Sequence, residues 1–310
     1  MKHLELSRKY FESFGRPLIE QGFPQLANRY AAGLVGQGSG CFGFDDEYSQ
    51  DHDFAPGFCI WLTDEDYEQY GEELQKAYSY LPVEFEGYSK NNIIDDTRMG
   101  VMRISDFYES FTGCTDIPGT NMDWFLINEN NLATVTNGEV FVDNLGEFTR
   151  IRQGLKSGYP KDVLYKKLAA RVCVMSQAGQ YNYQRCLKRS DKLTASLALS
   201  RFAEAVLSTL YLLNNSAAPF YKWMYKGLEF LNGNDDVDKL LKELKALMVS
   251  APSAEGMLRI EAICSLLIKI MSEKLELEFA GYYLQDYAPQ LMARIEDPEL
   301  RILHPMADCI

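Results

Sequence analysis

Apolar positions along the chain change their period near the middle. Leu6, Tyr10, Phe14 and Leu18 recur at helical spacing and predict a helix over 5–21, with a second short helix over 24–30. "YAAGLVG" then predicts a short buried strand running into glycines, and "HDF" with "FCIWL" a second strand broken at Pro56-Gly57. Thr63 can cap the next helix, whose first turn carries the acids of "TDED", and that helix extends to about Tyr78. "LPVEFEGY" at 81–88 predicts a third strand. Residues 89–121 are less regular, with one helix around 104–111. "LATVTNGEVFVDN" at 132–144 predicts a hairpin turning at Asn137-Gly138, and "GEFTRIRQGLKS" begins a helix.

From Pro160 onward only helical periods remain: 160–187, 190–214, 217–231, 236–249 and 254–284, with breaks at "NNSAAP" and "NGND". The expected fold class is therefore α+β. A small mixed β-sheet flanked by helices fills residues 1–155, and an all-α helical bundle fills 156–310. "SDKLTASLALSRFAEAVLSTLYLLNN" is apolar nearly all round and is the expected central bundle helix.

The 310 residues carry a formal net charge of −13. Long nucleic acids are expected to be excluded, because their binding rests on a cationic footprint. Seven cysteines, odd in number and without a C-x-x-C pair, favour free thiols and a reducing cytoplasm. No apolar run reaches membrane-spanning length, and "MKHLELSRKYFESFGRPLIEQ" lacks the apolar core of a signal peptide, so no membrane partner is expected.

The candidate chemistry lies in "GQGSGCFGFDDEYSQDHDFAPGFCIWL", residues 36–62. A strand that ends in Gly38-Ser39 offers backbone N–H groups at a tight turn, where phosphate oxygens can approach closely. Asp51 and Asp53 fall at i and i+2 of a strand and share a face. Two such carboxylates repel unless a cation sits between them, and Mg²⁺ prefers oxygen ligands of this kind. Glu84 and Glu86 share a face of the expected third strand. A Glu on a strand beside the Asp-x-Asp strand would complete a two-metal site, with Glu84 taken as the third ligand and Glu86 as its neighbour or a base. Asp45, Asp46 and Glu47 are expected to be solvated loop acids, and His52 to hydrogen-bond on the opposite face. Asp143 caps a turn or faces the cleft. Arg150 and Arg152 are either surface residues or triphosphate contacts. In "PFYKWMYKGLEF", Lys222 is either a snorkelling lysine or part of a nucleotide pocket wall.

Gly-Ser, a spacer, Asp-x-Asp on the following strand and an acid on a third strand resemble the nucleotidyltransferase superfold, to which the kanamycin- and lincosamide-type enzymes and DNA polymerase β belong. "NGEVFVDNLGEFTRIRQGLKSGYPKDV" and "LYLLNNSAAPFYKWMY" extend the resemblance to a bacterial nucleotidyltransferase-like family of unknown function. Two features depart from the superfold pattern: His52 stands where an apolar residue is usual, and Pro56-Gly57 interrupts the strand early.

The resemblance implies a nucleotidyltransferase that moves NMP, with ATP as the expected donor, onto a hydroxyl of a small molecule or protein. Asp51, Asp53 and Glu84 would hold two Mg²⁺, and Gly38, Ser39 and Lys222 would bind the nucleoside triphosphate. Two alternatives stand beside it: a non-catalytic nucleotide-binding regulatory module on the same scaffold, and a metal-dependent phosphoester hydrolase.

Overall fold

The computed structural model describes residues 1–50, 54–90, 98–231, 233–278 and 281–308. In chain order the elements are α1 (His3–Tyr10), continued through a π-helical turn at Phe11–Gly15 into α2 (Arg16–Gly22), then β1 (Ala31–Leu34), β2 (Cys59–Leu62), α3 (Asp64–Ser79), β3 (Glu84–Phe85), β4 (Tyr88–Ser89), β5 (Gly100–Arg103) and α4 (Ile104–Thr112). They continue with α5 (Asn121–Leu126), α6 (Glu129–Thr136), β6 (Glu139–Asp143), α7 (Glu147–Lys156), α8 (Lys161–Met175), a π-helical stretch at Ser176–Tyr183, α9 (Gln184–Lys188) and α10 (Lys192–Leu212). The last are α11 (Tyr221–Gly227), α12 (Asp235–Val249), α13 (Ala254–Leu275), α14 (Ala288–Ala293) and α15 (Pro298–Arg301). The fold is α+β.

The chain forms two compact units. One comprises Met1–Pro118 with Ile127–Ser157, the other Gly119–Leu126 with Gly158–Ile310. The first holds a four-stranded mixed sheet of order β5-β2-β1-β6. Its strands β2 and β6 both run antiparallel to β1, and β5 runs parallel to β2.

Every residue of "CIWL" in β2 is buried, because helices cover both faces of the sheet. Ile60 and Leu62 point into a cluster with Tyr10, Phe11, Ile19, Leu74 and Tyr78. Trp61 points the other way, stacked on Phe148 at 3.9 Å with the edge of Phe107 at 5.3 Å. Thr63 caps α3 by accepting the Asp66 N–H at 3.2 Å, and Asp66 is in turn gripped by Arg29 at 3.0 Å.

Two expectations are corrected here. Residues 132–144 do not form a hairpin. The first half is α6, capped by Asn128 and packed through Leu132 and Val135, and only 139–143 is a strand. Burial of those two side chains one helical turn apart outweighs the β-preference of the "TVT" run. Segment 81–88 likewise does not join the sheet beside β2. It forms the two-residue hairpin β3–β4, a separate sheet that turns through left-handed Glu86 and Gly87.

The second unit is helical throughout its described elements. The π-helical stretch joins α8 to α9, so the expected helix over 160–187 is interrupted in hydrogen-bond pattern but not in course. α11 starts at Tyr221 rather than 217, since Pro219 keeps the residue before it out of helical conformation. α13 ends at Leu275, where Glu276 turns left-handed and the Leu277 N–H returns to the Ser272 carbonyl. α5 belongs to this unit: its Phe125 lies under the ammonium groups of Lys166 and Lys167, and its Trp124 meets Tyr159 edge-on.

Candidate functional site

Strand pairing defines one end of the sheet in the first unit. Gly33 pairs with Cys59, Cys59 with Gly100, and Leu34 with Glu139. The exit of β1 therefore sits at the same end as the entries to β2, β5 and β6. The Gly-rich turn begins at this end. Gly36 and Gly38 have φ of +127° and +111°, a region open to glycine and costly for other residues. The turn is fastened to β6 by Asn137, whose side chain accepts the Gly36 N–H at 2.9 Å and donates to the Gly36 carbonyl at 2.7 Å. Gly138 N–H donates to the Cys41 carbonyl at 2.8 Å, and the Phe44 N–H to that of Ser39 at 2.9 Å. Among the described residues no acceptor meets the N–H groups of Gly38, Ser39 or Gly40, and a Cβ at Gly38 would meet nothing within 4 Å. At Gly38 the turn thus has an unspent donor beside open space, a property that an anion-binding turn requires.

His3 ties the turn to the chain that enters β2. Its ring packs against Gly40, lies 4.8 Å from Phe54 and donates Nε2–H to the Ala55 carbonyl at 3.0 Å. Its backbone N–H donates to Asp45 at 3.0 Å, and the Lys2 ammonium lies 3.6 Å from the other carboxylate oxygen. Asp45 is 2 % exposed, which corrects the expectation of a solvated acid. The carboxylate is buried because Lys2 and the first residue of α1, His3, supply a cation and a donor that the loop alone does not suggest. Asp46 is exposed and accepts the N–H groups of Tyr48 and Ser49 at 3.1 Å.

Asp51, His52 and Asp53 lie outside the described residues. Glu84 and Glu86 are exposed on the β3–β4 hairpin, so neither occupies a strand of the main sheet beside β2. Among the described residues no three His, Cys, Asp or Glu side chains converge to hold a metal ion. Asp143 caps: its carboxylate accepts the N–H groups of Gly146 and Thr149 at 2.9 and 2.7 Å. Arg150 forms a two-pronged ion pair with Asp116, and buried Arg152 donates to the Asn137 and Gly138 carbonyls, which steadies the start of β6. Lys222 is in the second unit, exposed, with its ammonium 4.6 Å from the Trp223 ring.

Two cations near the sheet end carried no signal in the sequence pattern. Cys59 donates to the Arg98 carbonyl at 3.3 Å, and the Arg98 charge draws the Cys41 thiol down against a larger upward push from burial. Burial also raises Cys59 to about 12, so both thiols stay protonated and inert. Lys90 follows the hairpin, with its ammonium 4.9 Å from both the Tyr10 and the Tyr78 rings. Tyr78 holds the β2 entry by bonding the Phe58 N–H and carbonyl.

Burial lowers the Lys90 ammonium to about 8, against about 10.4 in an unfolded chain. Between these values the unfolded state binds more protons, so stability rises as pH climbs from about 8 toward 10.4. In urea unfolding at pH 7.5, 8.5 and 9.5, Lys90→Met is expected to show a smaller rise than the wild type. Part of the rise remains, since Lys166 is lowered in the same direction by burial. Equal slopes for the two proteins would refute this account of Lys90.

Residues 124–224 match a family described as a domain of unknown function (DUF4037). No curated protein and no solved structure matches the chain. No helix among the described residues is long and apolar enough to cross a membrane.

Proposed function

We propose that this chain is a Mg²⁺-dependent nucleotidyltransferase, which moves a nucleoside monophosphate, from ATP as the expected donor, onto a hydroxyl acceptor. The observation that carries the reading is the Gly38-Ser39-Gly40 turn, whose N–H groups meet no acceptor among the described residues and whose Gly38 has positive φ and open space beside it. It stands at the sheet end from which the sequence runs on to Asp51 and Asp53. The turn would receive the triphosphate, while Asp51 and Asp53 would hold Mg²⁺. That ion would polarise the α-phosphate and neutralise the departing pyrophosphate. The remaining catalytic effect would come from alignment of the acceptor hydroxyl.

The test incubates the protein with α-labelled ATP, Mg²⁺ and candidate hydroxyl acceptors. Mg²⁺-dependent nucleotide binding and label transfer are expected, and both should fall by at least about 100-fold in Asp51→Asn and in Asp53→Asn, the order of loss when a charge-stabilising group is removed. Unchanged binding and transfer in both variants would end the proposal.

The position of Glu84 on a separate, exposed hairpin favours a second reading, a nucleotide-binding module without turnover. ATP affinity that depends on the turn, but no label transfer to any acceptor, would select it.

A further inference from the structure

The second unit buries three cations on one helix. Lys166 and Lys167 are 0 % exposed and Arg171 5 %. Lys167 and Arg171, one helical turn apart on α8, reach the two oxygens of the Asp308 carboxylate at 2.8 and 2.6 Å. Arg171 also donates to the Ser208 hydroxyl at 2.6 Å. The Lys166 ammonium donates to the carbonyls of Pro305 and Ala307. Tyr159 and Phe125 floor the group, at 4.9 and 5.5 Å from the Lys167 ammonium.

We propose that Lys167 and Arg171, the latter held by Ser208, form an oxyanion-binding site whose present occupant is the chain's own Asp308, and that it accepts a phosphoryl or carboxylate group in place of that side chain. Three observations support this. First, each carboxylate oxygen has its own cation, Lys167 hydrogen-bonded to one and Arg171 ion-paired with the other, while the Ser208 hydroxyl holds Arg171 and two aromatic rings face the Lys167 ammonium, so the two cations are positioned for an oxyanion. Second, buried ion pairs add little net stability compared with apolar packing, so stability alone does not call for charges here. Third, occupant and site come from different stretches of the chain. The cations, Ser208, Phe125 and Tyr159 all fall inside the family-matched segment 124–224, whereas Asp308 falls outside it, on a stretch after α15 without helix or strand.

The test is thermal unfolding of the full chain and of Asp308→Asn, in chloride, phosphate and acetate at matched ionic strength and without Mg²⁺. Asp308→Asn keeps the shape and removes the charge. In chloride it is expected to unfold at a lower temperature than the wild type. Phosphate or acetate should raise its midpoint saturably, by about 5 °C at roughly 100 times the dissociation constant, with the wild type unmoved. The two anions tell a phosphoryl from a carboxylate preference. The double variant Lys167→Gln/Asp308→Asn should lose the response. An Asp308→Asn protein indifferent to both anions would overturn the proposal, whatever its stability in chloride. So would one that stays unfolded in all three salts, because Asp308 would then be an irreplaceable structural counter-ion.

Discussion

Trp61→Ala is expected to destabilise the first unit by about 3–5 kcal/mol, the range for truncating a buried aromatic side chain. The indole is fully buried, and it is the part of β2 that reaches the helices on the α4 and α7 face. Its loss would strip Phe148 of a stacked partner at 3.9 Å and Phe107 of an edge contact at 5.3 Å. No hydrogen bond is forfeited, since the indole Nε1 has no partner among the described residues. The cost is therefore packing and desolvation alone. Trp61→Phe keeps an aromatic plane against Phe148 and should recover more than half of the loss. Urea unfolding followed by far-ultraviolet circular dichroism measures both, and a Trp61→Ala cost below about 1 kcal/mol would show that the stack does not organise that face.

Gly33→Val acts at the β1–β6 pairing by a different mechanism. A Cβ at residue 33 would collide with the Glu139 carbonyl oxygen and stand 2.9 Å from the Val140 Cα. Both are backbone atoms of the paired strand, so no side-chain rotation can relieve the contact. The β1–β6 register already shifts between Ala32 and Gly33, which marks the place where the two backbones approach. The expected result is a loss of about 3 kcal/mol or more, with amides of 139–143 losing protection in hydrogen exchange before the rest of the unit. Gly33→Ala carries the same Cβ and should cost nearly as much. If it costs less than about 1 kcal/mol, close backbone approach is not what glycine supplies here. Displacing β6 would also move Asn137, which fastens the Gly36 turn, so weaker ATP binding should accompany the structural loss if the proposed function holds.

The two glycines of consequence were unequally legible. The Gly-Ser turn announces itself, because a cluster of small residues after an apolar run has few other uses. Gly33, inside "YAAGLVG", gives no such sign, because what it must avoid is a carbonyl more than a hundred residues later in the chain. The same distinction holds for the acids. Asp46 and Asp143 serve their own neighbourhoods, and their capping follows from local sequence. Asp45 is buried by Lys2 and His3, and Asp308 by residues of α8, across separations that no local pattern encodes.

Local pattern is enough for the α+β class, the change to a helical second half, the cap at Thr63 and the continuous burial of "CIWL". Each of these depends on periodicity or on hydrogen bonds between near neighbours, and such terms are written within a few residues. Local pattern does not reach the helix over 132–136, the separation of the Glu84 segment from the main sheet, or the place of α5 in the second unit. In each of those cases the deciding free energy is burial against another element: the Leu132 and Val135 face of α6, which packs on α4 and α7, Phe85 against Tyr10 and Phe14, and Phe125 beneath the two lysines of α8. Local propensity is too weak to compete with contacts of that size.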